Sequence, residues 1–126
     1  MNKRLANSTI WLLLCVVVTM AILWLSLMPG ASAPSGLGWD KLNHAAAIAA
    51  VTFLAYFARY PAPRAGLDAF LYGVSLGALI EILQGTLTTT RSAEWGDLLA
   101  DLIGAGSVLG VIFIFSLYRK QTCKIL

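Results

Sequence analysis

Charged residues are scarce in this sequence. Only 12% of its 126 residues are Asp, Glu, Lys or Arg and 59% are apolar, whereas soluble domains average about 25% charged and about 45–50% apolar residues. The mean hydropathy is +0.79. The length fits one domain, residues 1–126, and a water-soluble core of that size cannot bury so much apolar sequence. The composition excludes an ordinary soluble domain and predicts an integral membrane protein.

Cysteine and histidine are scarce as well. Cys15 and Cys123 provide neither a disulfide framework nor a metal-ligand spacing. The one histidine belongs to no HExxH motif, so spacing alone assigns no metal ligand and no cofactor. The net charge is +3, but the basic residues are scattered at the ends of apolar runs. Without a basic stripe, nucleic acid is not the expected partner.

Long apolar runs dominate the rest of the chain. No charged residue occurs from Leu5 to Trp39, and about 20 apolar residues cross a bilayer. Lys3 and Arg4 before the first run resemble a secretory signal, but the run exceeds the usual apolar core of about 7–15 residues, so we expect an uncleaved helix. The pattern predicts an all-α, polytopic bundle of four transmembrane helices at about residues 9–28, 41–60, 67–87 and 97–118.

Helix signals within these runs predict packing. Asp40 is expected to cap the second helix. Gly73 and Gly77 in the third helix, and Gly106 and Gly110 in the fourth, have GxxxG spacing. Small residues at this spacing let helices approach closely in lipid. Such faces can join helices within one chain or join copies into a homo-oligomer.

Loop charges predict the orientation. With the N-terminus inside, seven of the nine basic residues are cytoplasmic, and only Lys41 and Arg91 lie outside. The positive-inside rule then places both termini in the cytoplasm. The expected location is the plasma membrane, the inner membrane of a bacterial cell, crossed several times, with the lipid bilayer as the principal partner.

The unusual polar residues all fall at the predicted outer ends of helices two to four. Spacings of three or four residues place each pair on one helical face. At 1.5 Å per residue, Glu81 lies roughly 9 Å below its helix end, and His44 and Asp101 lie roughly 6 Å below theirs. These groups should therefore meet at one level. The set comprises Asp40, Lys41, His44, Glu81, Gln84, Arg91, Asp97 and Asp101.

Three ordered motifs in this set resemble the VanZ-like family of membrane proteins. They are D-K-x-x-H at 40–44, E-x-x-Q at 81–84 and R-S-x-x-x-x-D at 91–97, preceded by the Ser-Leu-Met-Pro end of the first helix at 26–29. The resemblance covers nearly everything from Leu25 to Gly110. The family is named for a bacterial protein associated with resistance to the glycopeptide teicoplanin. This chain departs from its pattern with Ile48 where tyrosine is frequent and Asp101 where asparagine is usual.

The first functional hypothesis is an outward-facing site for an envelope lipid or lipid-linked glycan. Arg91 and Lys41 would hold an anionic headgroup. His44 and Glu81 would act as acid and base if the protein is an enzyme. The catalytic candidates are His44, Glu81 and Asp97, and the substrate-binding candidates are Asp40, Lys41, Gln84, Arg91 and Asp101.

Other hypotheses remain open from the sequence. His44, Glu81, Asp97 and Asp101 could bind zinc or manganese, because nitrogen and carboxylate donors suit these metals. Carboxylates near mid-helix could serve proton-coupled transport. The protein could also be a non-catalytic scaffold for an envelope enzyme. In the structural interpretation Asp40 caps a helix, Arg91 pairs with Glu94 or Asp97 in the loop, and hydrogen bonds of His44, Glu81 and Gln84 join the helices. This interpretation is favoured for Asp40 and Glu94, whereas His44 and Glu81, as intramembrane ionisable residues, favour function.

Overall fold

The computed structural model describes residues 3–28, 37–89 and 92–125, with side chains at 7–28, 40–89 and 92–121. These residues form α1 (Lys3–Leu27), α2 (Leu37–Arg59), α3 (Ala65–Leu87) and α4 (Trp95–Ile125). No strand occurs among them. The predicted all-α fold with four helices is confirmed for this part of the chain.

All four helices are long and apolar enough to cross a membrane. The qualifying segments are Asn7–Leu27, Asp40–Arg59, Ala65–Leu87 and Trp95–Gln121. α1 is the most apolar of them, with a mean hydropathy of 2.6, and only 6% of its most apolar stretch is buried within the bundle. An apolar surface exposed on this scale is what a lipid-facing helix requires.

The helix ends differ from the predicted ends mainly at the two termini of the chain. α1 begins at residue 3, six residues before the predicted start at 9, and α4 ends at residue 125, seven residues after the predicted end at 118. The prediction followed the apolar runs, whereas helical hydrogen bonding continues through the flanking basic residues. A helix can extend past the apolar segment because lysine and arginine are good helix formers.

The prediction that Asp40 caps α2 is wrong. α2 begins at Leu37, so Asp40 lies in the first turn of the helix. A carboxylate in this turn still interacts favourably with the positive end of the helix dipole. The capping prediction failed because the helix continues back through Leu37 and Gly38, which carry no polar side chain to mark its start.

α2 is the central helix of the bundle. It packs against α1, α3 and α4, whereas α1 and α4 make no contact with each other among the described residues. At one end of the bundle, the end of α3 meets the end of α1, where the Gln84 amide donates to the Ser26 carbonyl at 3.0 Å. At the opposite end, the Ser8 hydroxyl donates to the Ala58 carbonyl at 2.6 Å. The helices therefore run alternately up and down.

Small residues set the helix spacing in the core. Gly73 of α3 lies against Thr52 and Ile48 of α2 so closely that an added methyl group would overlap the Thr52 hydroxyl. Gly104 of α4 lies against the backbone of Ala45 in the same way. The alanine-rich middle of α2 thus permits the close approach that the sequence predicted. The apolar core beneath these contacts consists of Ile48, Val51, Leu76, Ile80 and Ala105.

Candidate functional site

Three helices bring His44, Glu81 and Asp101 into one buried cluster at the end of the bundle where α1 and α3 end. The His44 Nδ1 atom lies 3.4 Å from the Asp101 Oδ1 atom and 3.8 Å from the Glu81 Oε1 atom. His44 is 9% exposed, Glu81 7% and Asp101 0%. The three groups meet at one level, as the helical depths predicted. We refer to these three residues as the buried cluster.

Three of the four carboxylate oxygens in the buried cluster lack a hydrogen-bond partner among the described residues. Neither Asp101 oxygen has a partner among the described residues, and the Glu81 Oε1 atom has none either. The 3.4 Å approach of His44 to Asp101 is longer than an N–H···O hydrogen bond, which is about 2.7–3.2 Å. Buried carboxylate oxygens are normally paired, because an unpaired one loses its hydration without compensation. These oxygens therefore have coordination capacity that the described side chains do not use.

The second oxygen of Glu81 has a structural role. Its Oε2 atom accepts the backbone N–H of Glu94 at 2.9 Å. This bond fixes the segment that leads into α4, because Glu94 directly precedes the first helical residue, Trp95. Glu81 thus orients one oxygen towards the loop and the other towards His44.

Lys41 links α2 to the start of α4. Its ammonium group lies 3.3 Å from the Glu94 Oε2 atom and 3.3 Å from the Asp97 Oδ1 atom. The Asp97 side chain is 5% exposed and that of Glu94 is 49% exposed. Gly96 allows this crossing, since a methyl group there would meet the end of the lysine side chain. Two of the three ammonium donors are thus directed to carboxylates, which leaves one for an anionic headgroup.

The other predicted site residues are dispersed around the buried cluster. Asp40 is exposed. Gln84 is 2% exposed, but its amide is bonded to α1. Asp97 lies one turn before Asp101 on α4, and Asp40, His44 and Asp97 can place one ligand atom each within 4.8 Å of one another. Arg91 lies outside the described residues, so its predicted contacts are not part of the observed geometry.

The sequence did not indicate two residues that contact members of the predicted site, Gly77 and Ser26. Gly77 of α3 packs against the Asp101 carboxylate, where an added methyl group would overlap the carboxylate oxygen. The GxxxG spacing indicated a packing face but not that its partner is a charged side chain. Ser26 offers only a backbone carbonyl to Gln84, and no sequence signal identifies such a contact.

Two clefts flank the buried cluster. One, of about 320 Å³, is bordered by α1, α2 and α3 and is lined by Ser26, Asp40, Asn43 and His44 together with apolar residues. The other, of about 390 Å³, lies between α3 and α4 and is lined in part by Glu81, Glu94 and Trp95. His44 and Glu81 therefore each border a cleft from opposite sides of the cluster, which gives a ligand two routes of approach.

A larger cavity lies at the opposite end of the bundle. It measures about 660 Å³ and is lined mainly by aromatic and aliphatic residues of α2 and α4, with Arg119 at its edge. None of the predicted site residues lines it. Its apolar lining suits hydrocarbon, whereas the titratable groups that could bind or transform a polar ligand are concentrated at the buried cluster.

The buried cluster has the donor composition of a metal site. His44, Glu81 and Asp101 can place one ligand atom each within 4.8 Å of one another, and all three are buried. An imidazole with two carboxylates can also transfer protons or hold a polar headgroup. The arrangement is therefore chemically competent for ligand binding, for acid–base chemistry and for cation binding.

Comparison with known proteins finds no relative from which a function could be transferred. No family model, no curated protein and no solved structure matches this chain.

Proposed function

We propose that this chain is a multi-pass protein of the bacterial plasma membrane, with both termini in the cytoplasm. Four apolar helices of sufficient length support the membrane location. The excess of basic residues at the end opposite the buried cluster supports the orientation. In this orientation the buried cluster lies beneath the outer surface of the membrane, where it can reach lipids and lipid-linked glycans of the envelope.

We further propose that the buried cluster binds the polar headgroup of such an envelope lipid. The observation that carries this proposal is the convergence of His44, Glu81 and Asp101, with three of their four carboxylate oxygens lacking a hydrogen-bond partner among the described residues. Ionisable groups inside a membrane are expensive, at least about 2.5–3.5 kcal/mol for an aspartate at mid-helix, so they are retained mainly for function. The flanking clefts would admit a headgroup while the acyl chains stay in lipid.

The ordered motifs support membership of the VanZ-like family as part of this proposal. The D-K-x-x-H, E-x-x-Q and R-S-x-x-x-x-D motifs lie on successive segments, and two of them contribute residues to the buried cluster. For this family we expect the protein to lower the susceptibility of a bacterium to teicoplanin. That expectation is checked by measuring the minimal inhibitory concentration with and without expression of the chain.

The substitution Glu81→Gln tests headgroup binding. The glutamine keeps the size of the side chain but removes its charge. We therefore expect the amount of lipid that co-purifies with the membrane-inserted variant to be at least tenfold lower than with the wild type. Lipids extracted from the purified proteins are identified and quantified by mass spectrometry. Asp68→Asn is the matched control, because Asp68 pairs with Arg59 far from the buried cluster. Identical lipid profiles in wild type and Glu81→Gln would refute the proposal.

A second candidate function is a non-catalytic scaffold for a membrane enzyme. It is favoured by the helix-joining bonds of two predicted site residues, Glu81 to the Glu94 N–H and Gln84 to the Ser26 carbonyl. In this interpretation the buried cluster would stabilise the bundle instead of binding a ligand. The stability of Asp101→Asn, discussed below, distinguishes the two candidates.

A further inference from the structure

We infer that His44, Glu81 and Asp101 form a binding site for a divalent cation of the zinc or manganese type. The inference extends the proposed function. It rests on that function for one point, the identity of the ligand that would complete the coordination of the metal. Three independent observations carry it: the separations of the ligand atoms, the unpaired oxygens and the balance of charge.

The separations of the ligand atoms fit a shared metal better than direct hydrogen bonds. Zinc binds histidine and carboxylate at about 2.0–2.1 Å, so two ligand atoms in a tetrahedral site lie about 3.3–3.4 Å apart. The His44 Nδ1 atom is 3.4 Å from the Asp101 Oδ1 atom and 3.8 Å from the Glu81 Oε1 atom. One oxygen of each carboxylate therefore already faces the same imidazole nitrogen at nearly the required distance.

The unpaired oxygens point to a missing partner. Asp101 is fully buried, and both of its oxygens lack a hydrogen-bond partner among the described residues. The Glu81 Oε1 atom, which faces His44, lacks one too. The Glu81 Oε2 atom accepts the Glu94 N–H at 2.9 Å, and such a bond orients a metal-binding carboxylate. A divalent cation would bind one oxygen of each carboxylate and neutralise both buried charges.

Among the described side chains, the charge around the buried cluster favours a cation over an anionic ligand. The described side chains supply five carboxylates, from Asp40, Glu81, Glu94, Asp97 and Asp101, against the single lysine at 41 and one histidine. Carboxylates therefore outnumber the cationic groups among these side chains. A phosphate headgroup would be repelled by this field, whereas a bound divalent cation attracts it.

The proposed site has three protein ligands, which leaves a coordination position open. Catalytic zinc sites share this feature, whereas structural zinc sites use four protein ligands. His44 and Glu81 border the two clefts, so a phosphate oxygen or a water molecule could approach the open position. The expected further ligand is thus the phosphate of an envelope lipid, the ligand class of the proposed function.

Metal titration of the purified protein tests the inference. The chain is prepared in detergent without a histidine tag, treated with EDTA, and titrated with Zn²⁺ or Mn²⁺ alone by calorimetry. Bound metal is counted by elemental analysis after desalting. We expect one ion per wild-type chain and at least a tenfold loss of affinity in Asp101→Asn and Glu81→Gln. Asp68→Asn, which changes a carboxylate at the other end of the bundle, should bind like the wild type.

Several outcomes would overturn the inference. They are absence of metal binding by the wild type, undiminished binding by Asp101→Asn and Glu81→Gln, and equal loss in Asp68→Asn. If the variants fail to fold, the wild type alone decides, because the chain has one histidine. Paramagnetic Co²⁺ must then shift or broaden the nuclear magnetic resonance signal of His44, and an unchanged signal refutes the site.

The same preparations separate this inference from the proposed function. If the wild type binds no metal but Glu81→Gln still loses its lipid, headgroup binding stands and the metal site falls. If metal binds as expected but wild type and Glu81→Gln carry identical lipids, the metal site stands and headgroup binding falls.

Discussion

At the scale of single residues, Asp101 is the most constrained side chain of the site. It is fully buried, and both of its oxygens lack a hydrogen-bond partner among the described residues. Gly77 packs directly against Asp101, so any larger residue at position 77 would overlap the Asp101 carboxylate. Its nearest charged-group contact is the His44 imidazole at 3.4 Å. A residue in this environment either stabilises the bundle through its contact with His44 or binds a ligand.

The substitution Asp101→Asn distinguishes these roles in metal-free protein. Asparagine has nearly the same shape, so in a ligand site we expect the free energy of unfolding to fall by less than about 1 kcal/mol or to rise, because an uncompensated buried charge is removed. In a scaffold held by a His44–Asp101 ion pair, breaking the pair would cost about 3–5 kcal/mol. Reversible unfolding with sodium dodecyl sulfate in mixed micelles measures the difference.

Asp68→Asn provides the baseline for this comparison. It removes one carboxylate from an ion pair with Arg59 whose side chains are 61% and 36% exposed. Such exposed pairs contribute about 1 kcal/mol or less. A loss in Asp101→Asn that exceeds this baseline by 3 kcal/mol or so would favour the scaffold and contradict the ligand site.

At the scale of helices, the contact between α2 and α4 holds the buried cluster together. These helices are in close contact where Gly104 lies on the backbone of Ala45, next to His44 and one turn from Asp101. Backbone atoms cannot rotate away as side-chain atoms can. The spacing of α2 and α4, and with it the distance from His44 to Asp101, therefore depends on the absence of a side chain at Gly104.

The substitution Gly104→Ala tests this dependence. Its methyl group would overlap the Ala45 carbonyl oxygen, so we expect the helices to separate and the free energy of unfolding to fall by about 1–3 kcal/mol. Gly106→Ala and Gly110→Ala are matched controls in the same helix, because a methyl group at either position meets nothing within 4 Å. Both controls should match the wild type or gain up to about 1 kcal/mol, because alanine favours a helix more than glycine does. Equal stability of all three variants would show that the close contact does not set the helix spacing.

The two GxxxG pairs have different surroundings in the fold. Gly73 and Gly77 face α2 and α4 inside the bundle, whereas Gly106 and Gly110 have open space around them. The prediction that small residues join helices thus applies within this chain at the first pair. The expected homo-oligomer stays a prediction.

The convergence of α2, α3 and α4 at the buried cluster could be predicted from two features of the sequence, the length of its apolar runs and the spacing of its polar residues. Apolar runs of bilayer length fixed the number of helices, and spacings of three or four residues put His44, Glu81 and Asp101 on defined faces. Their similar distance from the helix ends then required them to meet at one level. The observed atom separations of 3.4 and 3.8 Å agree with this expectation.

The different partners of Asp97 and Asp101 could not be predicted from the sequence. Four residues apart, they share one helical face, but Asp97 pairs with Lys41 and Asp101 faces His44. The choice depends on the depth of each residue relative to α2, which differs by one turn. The Gln84 contact with α1 was equally inaccessible, since its acceptor is the backbone carbonyl of Ser26, which no side-chain pattern identifies.

At the scale of the whole molecule, the alternating helices place the short connections at opposite ends. The turn between α2 and α3 contains Pro61 and Pro63, and the segment between α3 and α4 includes Ser92. The turn that contains the prolines also carries basic residues, whereas the Ser92 segment lies at the end of the buried cluster. The proposed orientation therefore puts Ser92 outside the cell and Pro63 inside.

Labelling of single cysteines tests the orientation. In a background that lacks Cys15 and Cys123, Ser92→Cys should react with a membrane-impermeant maleimide in intact cells, because residue 92 is exposed. Pro63→Cys, also at an exposed position, should react only after the cells are opened. The reverse pattern would place the buried cluster on the cytoplasmic side and remove its access to the outer leaflet.

The most direct measurement of the central claim is the nitrogen spectrum of the single histidine. By this claim, His44, Glu81 and Asp101 share one buried site contributed by three helices. In ¹⁵N-histidine-labelled protein without a histidine tag, the His44 imidazole signal should change in both Glu81→Gln and Asp101→Asn and stay unchanged in Asp68→Asn. An imidazole signal that matches free histidine in water and is insensitive to both cluster substitutions would contradict the account.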